Sequence, residues 1–294
     1  MKTDSSQPGI LEALPAVGRS LTFRIAPEAD LRSALKRLRD GFVVDWGVVA
    51  VGEPVARALG REVTGLRVFP GVTGPGCSVP STQQSLWAFL RGEDHSALFD
   101  RTEQLRSILD EAFELDDLID TFVYAGGRDL TGYEDGTENP RDEAAARAAL
   151  VSAGNGMKGS SFVAVQRWVH DLRRFRSFSQ DRRDAVIGRR VDTNVEIEDA
   201  PASAHVKRSA QESYDPPAFM VRRSMPWATA QQQGLEFIAY GESLDRFERV
   251  LRRMVGLDDG IVDGLLTFSR PVTGGYYWCP PIHENRLNLS RLGI

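Results

Sequence analysis

The sequence is poor in cysteine and histidine, and this argues against several kinds of metal and disulfide site. Only two cysteines occur among 294 residues, Cys77 and Cys279, and neither lies in a CxxC or CxxCH motif. Their positions argue against a disulfide framework, a structural zinc site and covalent attachment of a c-type haem. The four histidines show no HExxH or HxxxH spacing, so the sequence does not indicate a zinc hydrolase.

The chain also lacks long apolar runs and an excess of basic residues. No window approaches the roughly 18 apolar residues of a membrane-spanning helix, and the N-terminal segment MKTDSSQPGILEALPAVG has no signal-peptide core. Because 36 Lys and Arg stand against 41 Asp and Glu, the formal net charge is −5, which disfavours nucleic acid as a partner. We therefore expect a cytoplasmic protein that binds neither membranes nor nucleic acid.

Strand and helix patterns alternate in both halves of the chain. Leu21–Ile25 and Gly65–Phe69 are predicted strands of the first half, and the alternation of Ser161–Val169 begins the same order again. The small, polar segment SAGNGMKGS separates the halves, so we place the domains at residues 1–150 and 151–294. Each half follows a β-α-β-β-α-β order, which predicts an α+β fold of two ferredoxin-like domains.

The segment GGRDLTGYEDGTENP, Gly126–Pro140, stands out for its density of glycine and charge. Glycine and proline are too frequent there for a helix interior or a central strand, and the apolar run Leu118–Tyr124 predicts a strand just before it. Long loops in compact domains are commonly functional or disordered. Asp135, flanked by glycines, is therefore a candidate acid/base group, although plain turns have the same composition.

Two later segments carry further candidate residues. His205 lies in AHVKRS beside Lys207 and Arg208, within a stretch that has almost no apolar periodicity. Arg222 and Arg223 follow an apolar run in VRRSMPW. A histidine ligand and a cleft arginine fit these patterns, but so do a solvated histidine and a solvated basic pair. The residue types alone leave both interpretations open.

Taken together, these segments resemble the dye-decolorising peroxidase family. GYEDG (Gly132–Gly136) is similar to the GxxDG motif of that family, and AHVKRS and VRRSMPW follow in the order of its proximal-histidine and distal-arginine segments. Ser161–Leu172 resembles the strand that opens the second domain, and Asp263–Pro281 resembles the C-terminal block. The resemblance extends over nearly the whole chain, and its compact length is similar to the bacterial type B subgroup.

The resemblance implies a haem b peroxidase. It implies one non-covalently bound haem per chain, enclosed by antiparallel sheets of the two ferredoxin-like domains in a dimeric α+β barrel-like arrangement. The implied reaction reduces hydrogen peroxide through a ferryl intermediate and oxidises dyes, phenolics or other small aromatic electron donors. It also leads us to expect a homo-oligomer. Because no long linker precedes the C-terminal NRLNLSRLGI, we do not expect loading as encapsulin cargo.

Residue by residue, the resemblance assigns roles around the haem. His205 is the expected axial ligand of the iron, Asp135 the distal acid/base, and Arg222, in preference to Arg223, the distal arginine. Asp263 is the expected carboxylate partner of His205. Since an aspartate is ionised only from about pH 4 upward, these assignments predict an acidic optimum for activity.

The partner of His205 and the overall function both have alternatives, and four further residues are expected to contact the cofactor. Glu242 or Asp259 could replace Asp263 as the partner of His205. Further expected cofactor contacts are Lys207, Arg208, Gly136 and Thr137, of which the two cationic side chains would pair with a haem propionate. Two other functions stay open at this point: a haem-handling protein for binding, storage or iron release with slow peroxidase turnover, and a haem-free interaction scaffold.

Overall fold

The computed structural model describes residues 5–294, in which helices pack on a large antiparallel sheet. The strands are β1 (Val17–Ile25), β2 (Gly47–Gly52), β3 (Val72–Gly74), β4 (Cys77–Val79), β5 (Leu86–Gly92), β6 (Phe113–Phe122), β7 (Ser161–His170), β8 (Val221–Arg222), β9 (Met225–Ala228), β10 (Gln233–Gly241), β11 (Ser269–Pro271), β12 (Gly275–Cys279), β13 (Ile282–His283) and β14 (Arg286–Leu287). The α-helices are α1 (Leu31–Gly41), α2 (Glu53–Ala58), α3 (His95–Leu109), α4 (Asp142–Ala149), α5 (Leu172–Ser177), α6 (Gln180–Ile187), α7 (His205–Arg208) and α8 (Leu244–Met254).

Local sequence explains where the main helices begin and which face they bury. The carboxylates of Asp30 and Asp94 accept backbone N–H bonds at the starts of α1 and α3, as good N-caps do. Helix α8 buries Phe247, Leu251 and Met254 on one face, because apolar residues three and four apart form a single stripe. These faces pack on the sheet and form the main core.

Each half of the chain has the ferredoxin-like strand order, which confirms the predicted fold class. In the N-terminal half the strands lie in the order β6-β1-β5-β2. Since β3 and β4 form a separate two-stranded sheet, this is the order fourth, first, third, second along the chain. In the C-terminal half the order is β12-β7-β10-β8, and β9 pairs with β10 beside β8. The two halves therefore repeat the same topology. The predicted boundary near residue 150 falls between α4 and β7 and stays a prediction.

One pair of strands joins the halves into a ten-stranded sheet. Trp278 of β12 pairs with Val51 of β2 in an antiparallel register. At the other end of the sheet, β6 lies against β9, where the Thr121 hydroxyl is 3.6 Å from the Met225 sulfur. The sheet therefore curls towards a barrel, as expected for two ferredoxin-like units placed edge to edge.

A partly buried charge cluster holds the halves together where the sheet curls. Arg167 of β7 lies 3.1 Å from Glu236 Oε2 on β10 and 2.5 Å from Asp117 Oδ2 on β6. Glu236 is buried, and burial raises the pKa of its carboxyl although Arg167 partly offsets this effect. Within residues 5–294, no helix combines the length and apolar character needed to cross a membrane.

Candidate active site

A cavity of about 940 Å³ brings together the residues that the sequence singled out. Asp135, His205 and Arg222 all line it. Its other walls are mostly apolar and come from β10, α8 and neighbouring loops, with Leu235, Phe237, Phe247, Leu251, Met254 and Leu265 among them. A large apolar cavity with a few convergent polar groups is typical of a cofactor or substrate site.

His205 stands at the first position of α7 and is held by a buried carboxylate. Its Nδ1 lies 2.8 Å from Oδ2 of Asp263, which is 1% exposed and whose other oxygen accepts the backbone N–H of Leu265. Burial disfavours the charged imidazole, but the adjacent Asp263 outweighs this and raises the pKa of His205. Because Nδ1 is engaged by Asp263, Nε2 is the ring nitrogen available to a ligand in the cavity.

The two alternative carboxylates lie elsewhere. Glu242 pairs with Arg246 on the next turn of chain. Asp259 makes a two-pronged contact with Arg208, with both oxygens 2.7 Å from guanidinium nitrogens. Neither carboxylate bonds to His205, so Asp263 is the one placed to orient the imidazole.

The glycine-rich loop is anchored so that Asp135 faces the cavity. Tyr133, two residues earlier, is buried and donates its hydroxyl to Asp184 on α6; burial and this carboxylate raise the pKa of its phenol far above the usual range. Asp135 Oδ1 accepts the N–H of Gly136 at 2.7 Å. Gly136 has φ = 71°, and a Cβ there would lie 2.9 Å from the Asn139 side chain, so this position favours glycine.

Asn139, at the end of the same loop, binds the main chain of Arg222. Its amide nitrogen donates to the Arg222 carbonyl at 2.9 Å, and its amide oxygen accepts the Arg222 N–H at 2.8 Å. The neighbouring Arg223 N–H bonds to Ile238 of β10, so the Arg222 peptide groups point away from the sheet and towards the loop. One amide therefore couples the position of the Asp135 loop to that of Arg222.

The Arg222 guanidinium reaches the cavity. Its Nε is buried and makes no hydrogen bond within the described part of the chain. The charges of Arg222 and Asp135 both act on the imidazole of His205. A half-buried cation with an unpartnered Nε, close to a carboxylate and an imidazole, is the arrangement expected where a polar ligand binds.

Of the four further cofactor contacts expected from the sequence, two lie beside the cavity and two point away from it. Gly136 and Thr137 line an adjoining crevice that shares Asp135, His205 and Arg222 with the cavity. Lys207 donates to the carbonyls of Ala200 and Glu198. Arg208 is 4% exposed, and its two terminal nitrogens bond to Asp259 and to the Arg253 carbonyl, away from the cavity.

Three polar wall residues received no assigned role at the haem site from the sequence. Gln166, Trp168 and His170 occupy alternate positions of β7 and all face the cavity. Gln166 accepts the Trp168 indole N–H at 3.1 Å, while its own amide nitrogen is buried without a partner in residues 5–294. Their spacing of two residues along a strand, which places them on one face of the sheet, was the available signal.

His170 also forms the centre of a buried hydrogen-bonded chain. Its Nε2 lies 3.1 Å from Asp129 of the glycine-rich loop, and its Nδ1 lies 2.6 Å from the Ser269 hydroxyl. Burial would raise the pKa of Asp129, but hydrogen bonds from His170 and Thr131 lower it overall. This chain fixes the start of the loop that carries Asp135.

Comparison with known proteins gives one family. Residues 126–284 match the family model described as Dyp-type peroxidase, C-terminal. A dye-decolorizing peroxidase from Mycobacterium tuberculosis is 32% identical over 244 residues, which cover 80% of this chain and 73% of that protein.

Solved structures agree with this. A variant of DypB from Rhodococcus jostii RHA1 in complex with heme has a TM-score of 0.85 at 28% identity, covering 92% of this chain and 95% of that one. The encapsulated DyP-type peroxidase from Mycobacterium smegmatis has a TM-score of 0.82 at 25% identity, covering 95% of this chain and 96% of that one.

Proposed function

This chain belongs to the dye-decolorising peroxidase family, and we propose that it binds haem b in the cavity and reduces hydrogen peroxide with electrons from small aromatic donors. The observation that carries the proposal is the placement of His205, with Nε2 available, in the same cavity as Asp135 and the unpaired guanidinium of Arg222. These three residue types are those that a haem peroxidase needs as iron ligand, proton carrier and charge stabiliser.

The lining of the cavity fits a haem. Its walls are largely apolar with a few convergent polar groups, as in most cofactor sites. The buried Nε of Arg222 and the amide nitrogen of Gln166 lack partners in residues 5–294, so polar groups of a ligand would satisfy them. His205 would ligate the iron through Nε2, while Gly136 and Thr137 line the crevice beside the haem site.

A bound haem iron supplies the redox chemistry, and the chain's own residues manage protons and charge. Asp135 takes a proton from one oxygen of hydrogen peroxide and returns it to the other, which heterolytic cleavage of the O–O bond requires. Arg222 stabilises the negative charge that develops on the departing oxygen. Asp263 accepts the Nδ1 proton of His205 in a hydrogen bond and so makes Nε2 a more electron-rich ligand.

The test is to mix the purified holoprotein with stoichiometric peroxide and follow its Soret band. We expect Asp135→Asn and Arg222→Leu to keep the band but to slow the peroxide-dependent change by about 100-fold or more. Glu138→Gln is a matched control, because it makes the same carboxyl-to-amide change in the same loop at a side chain 61% exposed.

Each contrary result has a defined meaning. Absence of a Soret band in protein prepared with haem would overturn the proposal. A stable band that peroxide does not change would favour a haem-handling function. Wild-type rates in both variants would show that Asp135 and Arg222 are not the distal residues.

A further inference from the structure

A second cleft of about 490 Å³ lies next to Asp135 and Arg222 and is separate from the large cavity. Leu14, Val123 and Tyr124 line it, and they are 38%, 38% and 40% exposed. Large apolar side chains are seldom this exposed without a ligand or partner when they cluster at one site. The cleft therefore has an apolar rim that is open to solvent.

Arg223 lines the same cleft, and its positive charge is not neutralised by any carboxylate of residues 5–294. Its Nη2 donates to the Leu11 carbonyl at 2.6 Å and its Nη1 to the Arg222 carbonyl at 3.3 Å, while its Nε is buried without a partner. Within residues 5–294, no carboxylate lies within salt-bridge distance of it. Burial, together with the nearby Arg91, lowers the pKa of Arg223, as expected for a cation without a counter-ion.

The lining of the cleft has an excess of positive charge. Arg128, Arg222 and Arg223 line it together with one carboxylate, Asp135. Arg128 is paired with Glu134, so the guanidiniums of Arg222 and Arg223 face a single carboxylate. Because the protein as a whole has a formal charge of −5, this cleft is a local exception that attracts anions.

We propose that this cleft binds a small aromatic anion, with its oxyanion group on Arg223 and its ring against Leu14, Val123 and Tyr124. A guanidinium presents paired donors that match a carboxylate or sulfonate, and an exposed aromatic wall matches a flat ring. A neutral ring would cover the apolar rim but leave the buried charge of Arg223 unpaired. Only a ligand that has both a ring and an anionic group covers the apolar rim and also pairs with Arg223.

This assignment rests on the proposed peroxidase function, because it makes the cleft the binding site of the electron donor. Each phenolic donor loses one electron and one proton, and two such donors reduce one hydrogen peroxide to two waters. The donor would bind beside Asp135 and Arg222 without entering the apolar cavity. Arg223 thereby selects the donor by charge.

The first experiment measures binding without turnover. Benzoate is titrated into the holoprotein by calorimetry, and we expect one site whose affinity falls about tenfold or more in Arg223→Gln. Arg223→Lys keeps the charge and should retain part of the affinity, and Tyr124→Ser should weaken binding through loss of the apolar wall. Arg106→Gln, a charge removal at an exposed helix position, is the matched control.

The second experiment compares vanillate with vanillyl alcohol as donors, since the two differ in the anionic group. We expect the ratio of kcat/KM for vanillate over vanillyl alcohol to fall about tenfold in Arg223→Gln and to recover partly in Arg223→Lys. The Arg106→Gln control should keep the wild-type ratio.

The outcomes separate this inference from the proposed function. Wild-type benzoate affinity and an unchanged donor ratio in Arg223→Gln would overturn the cleft assignment while leaving the peroxidase intact. A Soret shift on adding benzoate would place the anion at the haem and would also overturn it. Benzoate binding that depends on Arg223 in a protein without peroxidase turnover would refute the proposed function alone.

Discussion

Replacing Asn139 by alanine removes the amide that holds the main chain of Arg222. Two hydrogen bonds are lost, of 2.9 and 2.8 Å; the backbone N–H of Arg222 then lacks its partner, and its C=O keeps only the bond from Arg223 Nη1 at 3.3 Å. A typical intramolecular hydrogen bond contributes about 1 kcal/mol net, and a buried group left unpaired costs about 1–3 kcal/mol. Since water can enter the neighbouring cleft, we expect a total loss of about 2 kcal/mol in the free energy of unfolding.

The effect on the peroxide reaction should be larger than the effect on stability. A displacement of a catalytic group by about 1 Å can cost about 100-fold in rate, so we expect a loss of that order in Asn139→Ala. Stopped-flow measurement of the Soret change gives the rate, and urea unfolding gives the stability. Asn139→Asp still accepts the Arg222 N–H but cannot donate to its carbonyl, so it should keep part of both.

A second asparagine of this region provides the control for Asn139→Ala. Asn194→Ala removes an amide that bonds only to the side chains of Glu134 and Thr137, so the Arg222 main chain keeps its partners. We expect a nearly normal peroxide reaction in that variant. If Asn139→Ala reacted with peroxide as fast as the wild type and unfolded at the same urea concentration, Asn139 would not hold Arg222 in place.

Two further predictions concern buried charge. The bonds from Arg208 lower the pKa of Asp259 from 3.8 to about 2, so the stabilisation from this pair is present above about pH 4 and is lost as the pH falls towards 2. The deficit of Asp259→Asn in urea unfolding should therefore be constant from neutral pH to about pH 4 and shrink below it; a deficit that shrinks already near pH 6 would contradict this. Arg167→Met should cost about 3–5 kcal/mol, because it leaves Glu236 buried without its partner. Since the pKa of Glu236 is raised by burial and would rise further without Arg167, this deficit should be smaller at about pH 5 than at about pH 8, and Glu236→Gln in the same chain should recover part of it.

The sequence predicted the elements whose causes are local. The alternation of β7 and the leucine spacing of α1 depend on near neighbours, so the order of strands and helices followed from the pattern. The predicted strand Gly65–Phe69 was wrong, because that segment is irregular in the structure. The Phe69 ring packs edge to face on Tyr276 at 4.9 Å, and its N–H donates to Gln83, so contacts distant in sequence decide its conformation.

In the site, too, contacts between residues distant in sequence could not be predicted from the local pattern. Lys207 and Arg208 follow His205 directly, which suggested a role beside the same ligand. On a helix, however, residues two and three positions on point in different directions from the first, by about 100° per residue. Arg208 bonds to Asp259, 51 positions later, and nothing in the local pattern predicts such a partner. The contact between His205 and Asp263 also joins residues far apart in the sequence, at a separation of 58 positions. The family resemblance predicted this contact, whereas periodicity did not.

The pairing of β2 with β12 also has a consequence for synthesis of the chain. Every residue of β2 is buried, and at Val51 and Gly52 one edge of this strand is covered by β12, more than 200 positions later in the chain, while the Gln7 side chain bonds the main chain of Val49. Until β12 has been translated, the end of β2 must therefore carry a short apolar strand edge that has no neighbour, and such edges are templates for aggregation. Asp263 emerges 58 residues after His205, so the wall behind His205 is incomplete until that part of the chain has been translated.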